Sequence, residues 1–116
     1  MKKDSFPFVL LFDFYGELLT EKQRRCFDLY YNEDLSLAEI AESEGISRQG
    51  VRDNIIRGER TLTEIEAKTK LVDRFLAYNR DIERLNGIAE ELNNSGDERL
   101  KAISAEIDEI ARRLKE

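Results

Sequence analysis

The chain has 116 residues, room for one domain with a modest core. Hydrophobic residues are 41% of it and charged residues 38%, a charged excess that suits long solvated helix faces. With no His and one Cys, it has no material for a disulfide scaffold, a Cys/His zinc site, a His-based triad or a Cys–His dyad.

In chain order, MKKDSFPFVLLFDF begins like a signal peptide, but Asp13 interrupts the apolar stretch and no small-residue cleavage site follows. No apolar run reaches the ~18–20 residues of a membrane span. A cytoplasmic protein with no membrane partner is expected, and the lone Cys26 agrees with a reducing compartment. Residues 6–19, FPFVLLFDFYGELL, are apolar almost all round, with Pro7 in a first-turn position. Such a helix must be buried on most sides, either as a central core helix or against a second subunit.

Thr20 opens a TEKQ capping box, with Gln23 placed to reach back. The helix it starts, 21–31, carries Cys26, Phe27, Leu29, Tyr30 and Tyr31, and Cys26 reads as a small buried hydrophobe within that series. Arg24 and Arg25 read as surface charges with partners such as Glu21 and Asp28. Asn32–Asp34 form a turn. Ser36 opens a second capping box, SLAE, for a short helix over 37–43, which Gly45 ends. Ser47 caps the next helix, 48–57, whose core side is Val51 and Ile55, and Gly58 is expected to break it. A TEIE box at Thr63 is expected to start a long helix. Its residues 75, 78, 82, 85, 89 and 92 are spaced as a heptad seam. NNSGD at 93–97 is a turn by composition. The last helix repeats the spacing at Leu100, Ile103, Ile107, Ile110 and Leu114. Two such faces joined by a polar turn predict an antiparallel hairpin. The fold class is all-α with about six helices. One domain over 1–116 is expected, made of an N-terminal helix with a helix-turn-helix (6–60) and a helical tail (61–116).

The helices 21–31, 37–43 and 48–57 meet the demands of a helix-turn-helix. Ala41 is small where two steeply crossing helices must touch, Gly45 tolerates positive φ in the turn, and Ile46 and Val51 tie the second helix to the core. Charge adds a second signal. Residues 34–46 carry four acids and no base, whereas residues 47–79 carry seven bases against five acids, the one net-positive stretch of an acidic chain.

The segment LTEKQRRCFDLYYNEDLSLAEIAESEGISRQGVRDNIIR resembles region 4 of bacterial sigma factors. The closer resemblance is to the YlxM family, carried by Leu11–Tyr15, Leu18–Arg24, Leu35–Glu42 and Ser47–Ile55, firmly over 8–57 and loosely beyond. That resemblance implies an all-α, dimeric, cytoplasmic protein, encoded beside genes of the signal recognition particle and acting in or regulating that pathway. Two features depart from a plain DNA reader. Asp34, Glu39, Glu42 and Glu44 make the supporting helix acidic where it would cross phosphate, and Asp53 sits within the recognition helix.

In a DNA-reading pose Ser47, Arg48, Gln49 and Arg52 face the groove. Arg48 suits guanine, Gln49 suits adenine and Ser47 suits a phosphate, with Arg57 and Arg60 as backbone clamps. The exposed face of this helix is expected to hold Arg and Gln with no bulky apolar residue. No catalytic residue, metal or cofactor is expected, because no carboxylate spacing matches a metal loop and no Gly-rich phosphate cradle occurs. Two functions stay open. One is a regulator binding DNA or the particle's RNA through 47–57. The other is an adaptor that binds the particle's protein or RNA without binding DNA. Either is expected as a homodimer, from the apolar surplus of 6–19 and the two heptad faces.

Overall fold

The computed structural model describes residues 6–116, and every regular element among them is helical. The order is α1 (Phe6–Tyr15), a 3-10 turn (Gly16–Leu18), α2 (Glu21–Tyr31), α3 (Leu37–Glu44), α4 (Arg48–Thr69), α5 (Leu71–Asn93) and α6 (Glu98–Lys115). The all-α class expected from the sequence is what is found. The chain divides into two compact units, residues 1–72 and residues 73–116.

Local chemistry sets the helix starts. Both capping boxes form: Gln23 N donates to Thr20 Oγ1 (3.2 Å) and Thr20 N to Gln23 Oε1 (3.3 Å). Glu39 N donates to Ser36 Oγ (3.1 Å) and Ser36 N to Glu39 Oε1 (3.0 Å). Each box satisfies two backbone N–H groups that the helix start leaves orphaned. The apolar segment 6–19 is not one helix. α1 stops at Tyr15, where Gly16 turns the chain and Leu19 N closes the turn on Gly16 O (3.2 Å). A Cβ at Gly16 would lie 3.0 Å from the Phe12 ring, so any side chain there would have to displace the ring slightly.

The core of the first unit forms around Phe27, which is wholly buried. Phe12 stacks on it at 5.1 Å between ring centroids, Tyr31 tilts against it at 4.6 Å, and Phe8 meets it edge-on at 6.3 Å. Ile40, Val51, Ile55 and Leu62 are buried in the same unit. Cys26 is also buried, and that burial pushes its thiol up, away from the reactive thiolate.

Gly58 does not break a helix. α4 runs through it for 22 residues. Gly58 is buried, and a Cβ there would stand 3.1 Å from Phe27 Cδ2 and 3.6 Å from Leu19 Cδ1. It is a site of close approach between α2 and α4, for which the helix concedes about 1 kcal/mol of propensity. Thr63 likewise starts nothing: its hydroxyl donates to Glu59 O (2.7 Å) inside α4. The helix ends at Thr69, where Lys70 turns left-handed (φ 56°).

Two tyrosines tie this unit together. The Tyr15 hydroxyl donates its one proton to Glu66 Oε1 (2.6 Å) and so accepts from the Thr69 hydroxyl (2.6 Å). Glu66 Oε1 also accepts from Val72 N (3.0 Å), just past the left-handed turn. Tyr31 donates to Glu59. Burial first, and the carboxylate partner second, raise both phenols above their ordinary value of 10.0. A phenol raised in the fold gives stability that is complete below pH 10 and lost as pH climbs past it toward the folded-state value. Stability should therefore fall steeply above about pH 10. Tyrosinate absorbance in wild type against Tyr15→Phe and Tyr31→Phe, followed through alkaline unfolding, checks this. Two phenols titrating ahead of unfolding would contradict it.

The second unit is a hairpin. Asp97 caps α6 by accepting from Arg99 N (2.8 Å), after a turn in which Gly96 has φ 83°. Ile82, Ala89, Ser104 and Ala111 are buried, and the Ser104 hydroxyl donates to Ala89 O (2.7 Å) across the pair. The contact line of α6 thus runs one residue away from the expected 103 and 110. Ser104 and Ala111 let the backbones approach, while Ile103, Ile110 and Leu114 stay about two-fifths exposed on its flank.

Candidate nucleic-acid interface

The helix-turn-helix is α3, the turn and α4, braced by α2. Gly45 takes φ 68° and ψ 32°, and Ile46 N donates to Ala41 O (3.1 Å), closing the left-handed cap. Ser47 then caps α4 by accepting from Gly50 N (2.9 Å). A Cβ at Gly45 would meet nothing within 4 Å, so Gly45→Val should cost on the order of 1 kcal/mol or more, through the backbone alone. Ala41 is buried, and Ala41→Leu should overpack by roughly 1–3 kcal/mol. Thermal melts of both variants check the assignment, which two unchanged midpoints would overturn.

All six sequence-derived contact residues lie on or beside α4 and all are exposed. Arg48, Arg52 and Arg60 belong to one i,i+4 row that winds about 120° round the helix, with Gln49 inside the same sector. Arg57 stands roughly 180° round the helix from Arg48, outside the row and about 60° beyond its last member, Arg60. None of the four arginines makes an ion pair among the described residues. Ser47 spends its oxygen on the cap, which leaves its hydroxyl proton to donate. Gln49 donates one amide hydrogen to Asp53 Oδ1 (3.0 Å), so Asp53 acts on a neighbour within the helix.

One expectation for this face fails. The fourth member of the row is Ile56, a β-branched residue 37% exposed between Arg52 and Arg60. Ile56 also lines a cleft of about 190 Å³ with Tyr30, Tyr31, Leu37, Ile55, Arg52 and Glu59. Ile56 already lay within the expected helix 48–57, four residues from Arg52, whereas expecting a break at Gly58 put Glu59 outside the helix. Continuing the 52–55–59 spacing, steps of three and four, past Gly58 was the signal that would have found it.

The acidity of α3 is partly committed elsewhere. Glu39 completes the Ser36 capping box. Glu44 Oε1 lies 3.0 Å from Arg25 Nε, an ion pair without hydrogen-bond alignment, since that buried oxygen has no hydrogen-bond partner. Arg25 also pairs with Glu21 (3.2 Å), as its i,i+4 spacing predicts. Glu42 stays exposed. No group of three acids or cysteines able to hold a metal occurs among the described residues, and none of their helices is long and apolar enough to cross a membrane.

A three-helix core, a left-handed glycine turn and an N-capped second helix with an exposed arginine row define a helix-turn-helix protein. Residues 3–103 match UPF0122, the YlxM/p13-like helix-turn-helix proteins, and the chain belongs to that family. A UPF0122 protein of Acetivibrio thermocellus is 55% identical over 80 residues, 68% of each chain. One from Thermoanaerobacter sp. strain X514 is 43% identical over 114 residues, 97% of this chain and 96% of that one. One from Bacillus cereus strain AH187 is 44% identical over 95 residues, 82% and 86% of the two chains.

Proposed function

We propose that this protein is a non-enzymatic, cytoplasmic regulator that binds nucleic acid through α4 and acts in the signal recognition particle pathway. Ser47, Arg48, Gln49, Arg52, Arg57 and Arg60 are its contact residues, and DNA or the particle's RNA is its ligand. The observation that supports this best is the row of Arg48, Arg52 and Arg60, exposed and without ion pairs among the described residues, on the second helix of a helix-turn-helix. The pathway rests on the family resemblance alone. Electrophoretic mobility on genomic fragments and on the particle's RNA tests the reading at ~100 mM salt, where a basic reader still binds. No shift on either would remove it. The exposed acids of α3 favour a second reading, an adaptor that holds the particle's protein subunit, and recovery of that subunit from nuclease-treated lysate would support it.

The protein is also proposed to act as a homodimer. Phe14 and Leu18 remain 39% and 67% exposed at the end of the apolar segment, and they are the apolar surface of that segment open to a second copy. Phe12, stacked on Phe27, is a core residue, so only Phe14 separates association from folding. Phe14→Asp should convert a sedimenting dimer into a monomer with little change in melting temperature. A wild type that sediments as a monomer at micromolar concentration would refute the dimer.

A further inference from the structure

We propose that the cleft beside the arginine row of α4 receives an unpaired guanine, so that the favoured ligand is a single strand or loop and not an intact duplex. This rests on the nucleic-acid reading of α4 and names the ligand of that surface. The cleft, about 190 Å³, lies between the end of α2, the first residue of α3 and the middle of α4. Its two ends differ in charge. Arg52 and Glu59 both line it, and they stand seven residues apart on one helix. That is two turns, so they project from nearly the same face about 10 Å apart along the axis. Ile55 and Ile56 stand between them on α4, and Leu37 and Tyr30 line the same cleft. A flat ring with hydrogen-bond donors on one edge and an acceptor or phosphate at the other matches this order.

Guanine is the base that fits the acidic end. A carboxylate only accepts. The Watson–Crick edge of guanine places N1–H beside the N2 amino group, two adjacent donors for one carboxylate. Adenine and cytosine each set a donor beside an acceptor, and uracil sets one N–H between two carbonyls. Glu59 is held for the task, because the Tyr31 hydroxyl donates to one lone pair of its Oε2 and leaves Oε1 and the second lone pair of Oε2 to accept. Glu59 makes no ion pair with a cation among the described residues. Arg52 takes guanine O6 or the attached phosphate, and Arg48, one turn back, takes the next phosphate. In a duplex that edge is paired and stacked, so only an unpaired or extruded base can enter.

The test is fluorescence anisotropy of the full chain with labelled uridine decamers carrying one central guanosine, inosine or adenosine, and with a matched duplex. Inosine keeps N1–H and lacks the 2-amino group. The guanosine strand should bind about tenfold or more tighter than the other two, a ratio of the size that one well-held base supplies. Glu59→Gln should erase the guanosine–inosine difference and leave adenosine binding unchanged. Ile56→Trp, which fills the cleft, should do the same. Equal binding of the three strands by wild type would overturn the proposal, whatever the variants do. Binding of the duplex alone would also overturn it while leaving the reading of α4 intact. No binding to any strand or duplex would remove both.

Discussion

Phe27→Ala should destabilise the first unit by about 3–5 kcal/mol, the range for deleting a fully buried aromatic ring. Phe27 has no exposed surface, and it contacts Phe12, Phe8 and Tyr31. It also fills the space that Gly58 leaves on α4. The loss has two parts: the transfer of the ring's apolar area and the cavity left behind. The cavity cannot easily close, because helix axes held apart by Leu62, Val51 and Ile40 are fixed by other buried side chains. A small domain has only ~5–15 kcal/mol of total stability, so the variant should be partly unfolded near 37 °C. Urea denaturation followed by far-ultraviolet circular dichroism measures it. A midpoint lowered with unchanged slope is expected, and a shift worth less than ~1 kcal/mol would mean that the ring is not the centre of the core.

The parts of this fold legible in the sequence are those written in short-range chemistry. TEKQ, SLAE and Ser47 each name a helix start through atoms three residues apart, and all three caps form. Gly45 marks a left-handed turn for the same local reason. The misreadings share a different cause. Gly58 and Thr63 carry the local signature of a break and a cap, yet both lie inside α4, where Gly58 packs against Phe27 of another helix. Tertiary contact overrode propensity. The hairpin seam failed in the same way. Large apolar residues at 103 and 110 suggested the contact line, while small residues at 104 and 111 set how closely the backbones approach. For the candidate site, the arginines could be named from sequence and Ile56 lay within the expected helix, but Glu59 and Tyr30 required the uninterrupted α4 and the end of α2 to be placed together.

Arg48→Ala with Arg52→Ala should weaken binding to a specific site by ~2–6 kcal/mol, taking ~1–3 kcal/mol for each good base contact. Stability should move by no more than about 0.5 kcal/mol, because both side chains are exposed and neither makes an ion pair among the described residues. Neither side chain is among those that hold α4, which Val51, Ile55, Gly58 and Leu62 anchor from its buried side. The pair therefore separates binding from folding, which no change at the core can do. It also separates two kinds of contact. If the two arginines read bases, the loss appears on the specific ligand, and affinity for unrelated sequences hardly changes. If they only meet phosphates, affinity falls uniformly and the slope of log affinity against log salt drops by about one for each arginine removed. The net charge of −6 makes this a demanding test, since an acidic chain has little general attraction for a polyanion to mask the loss. Salt titrations of wild type and double variant on the same ligand measure both quantities. An unchanged affinity and slope in a folded double variant would place the binding surface elsewhere than the row that Arg48 and Arg52 begin.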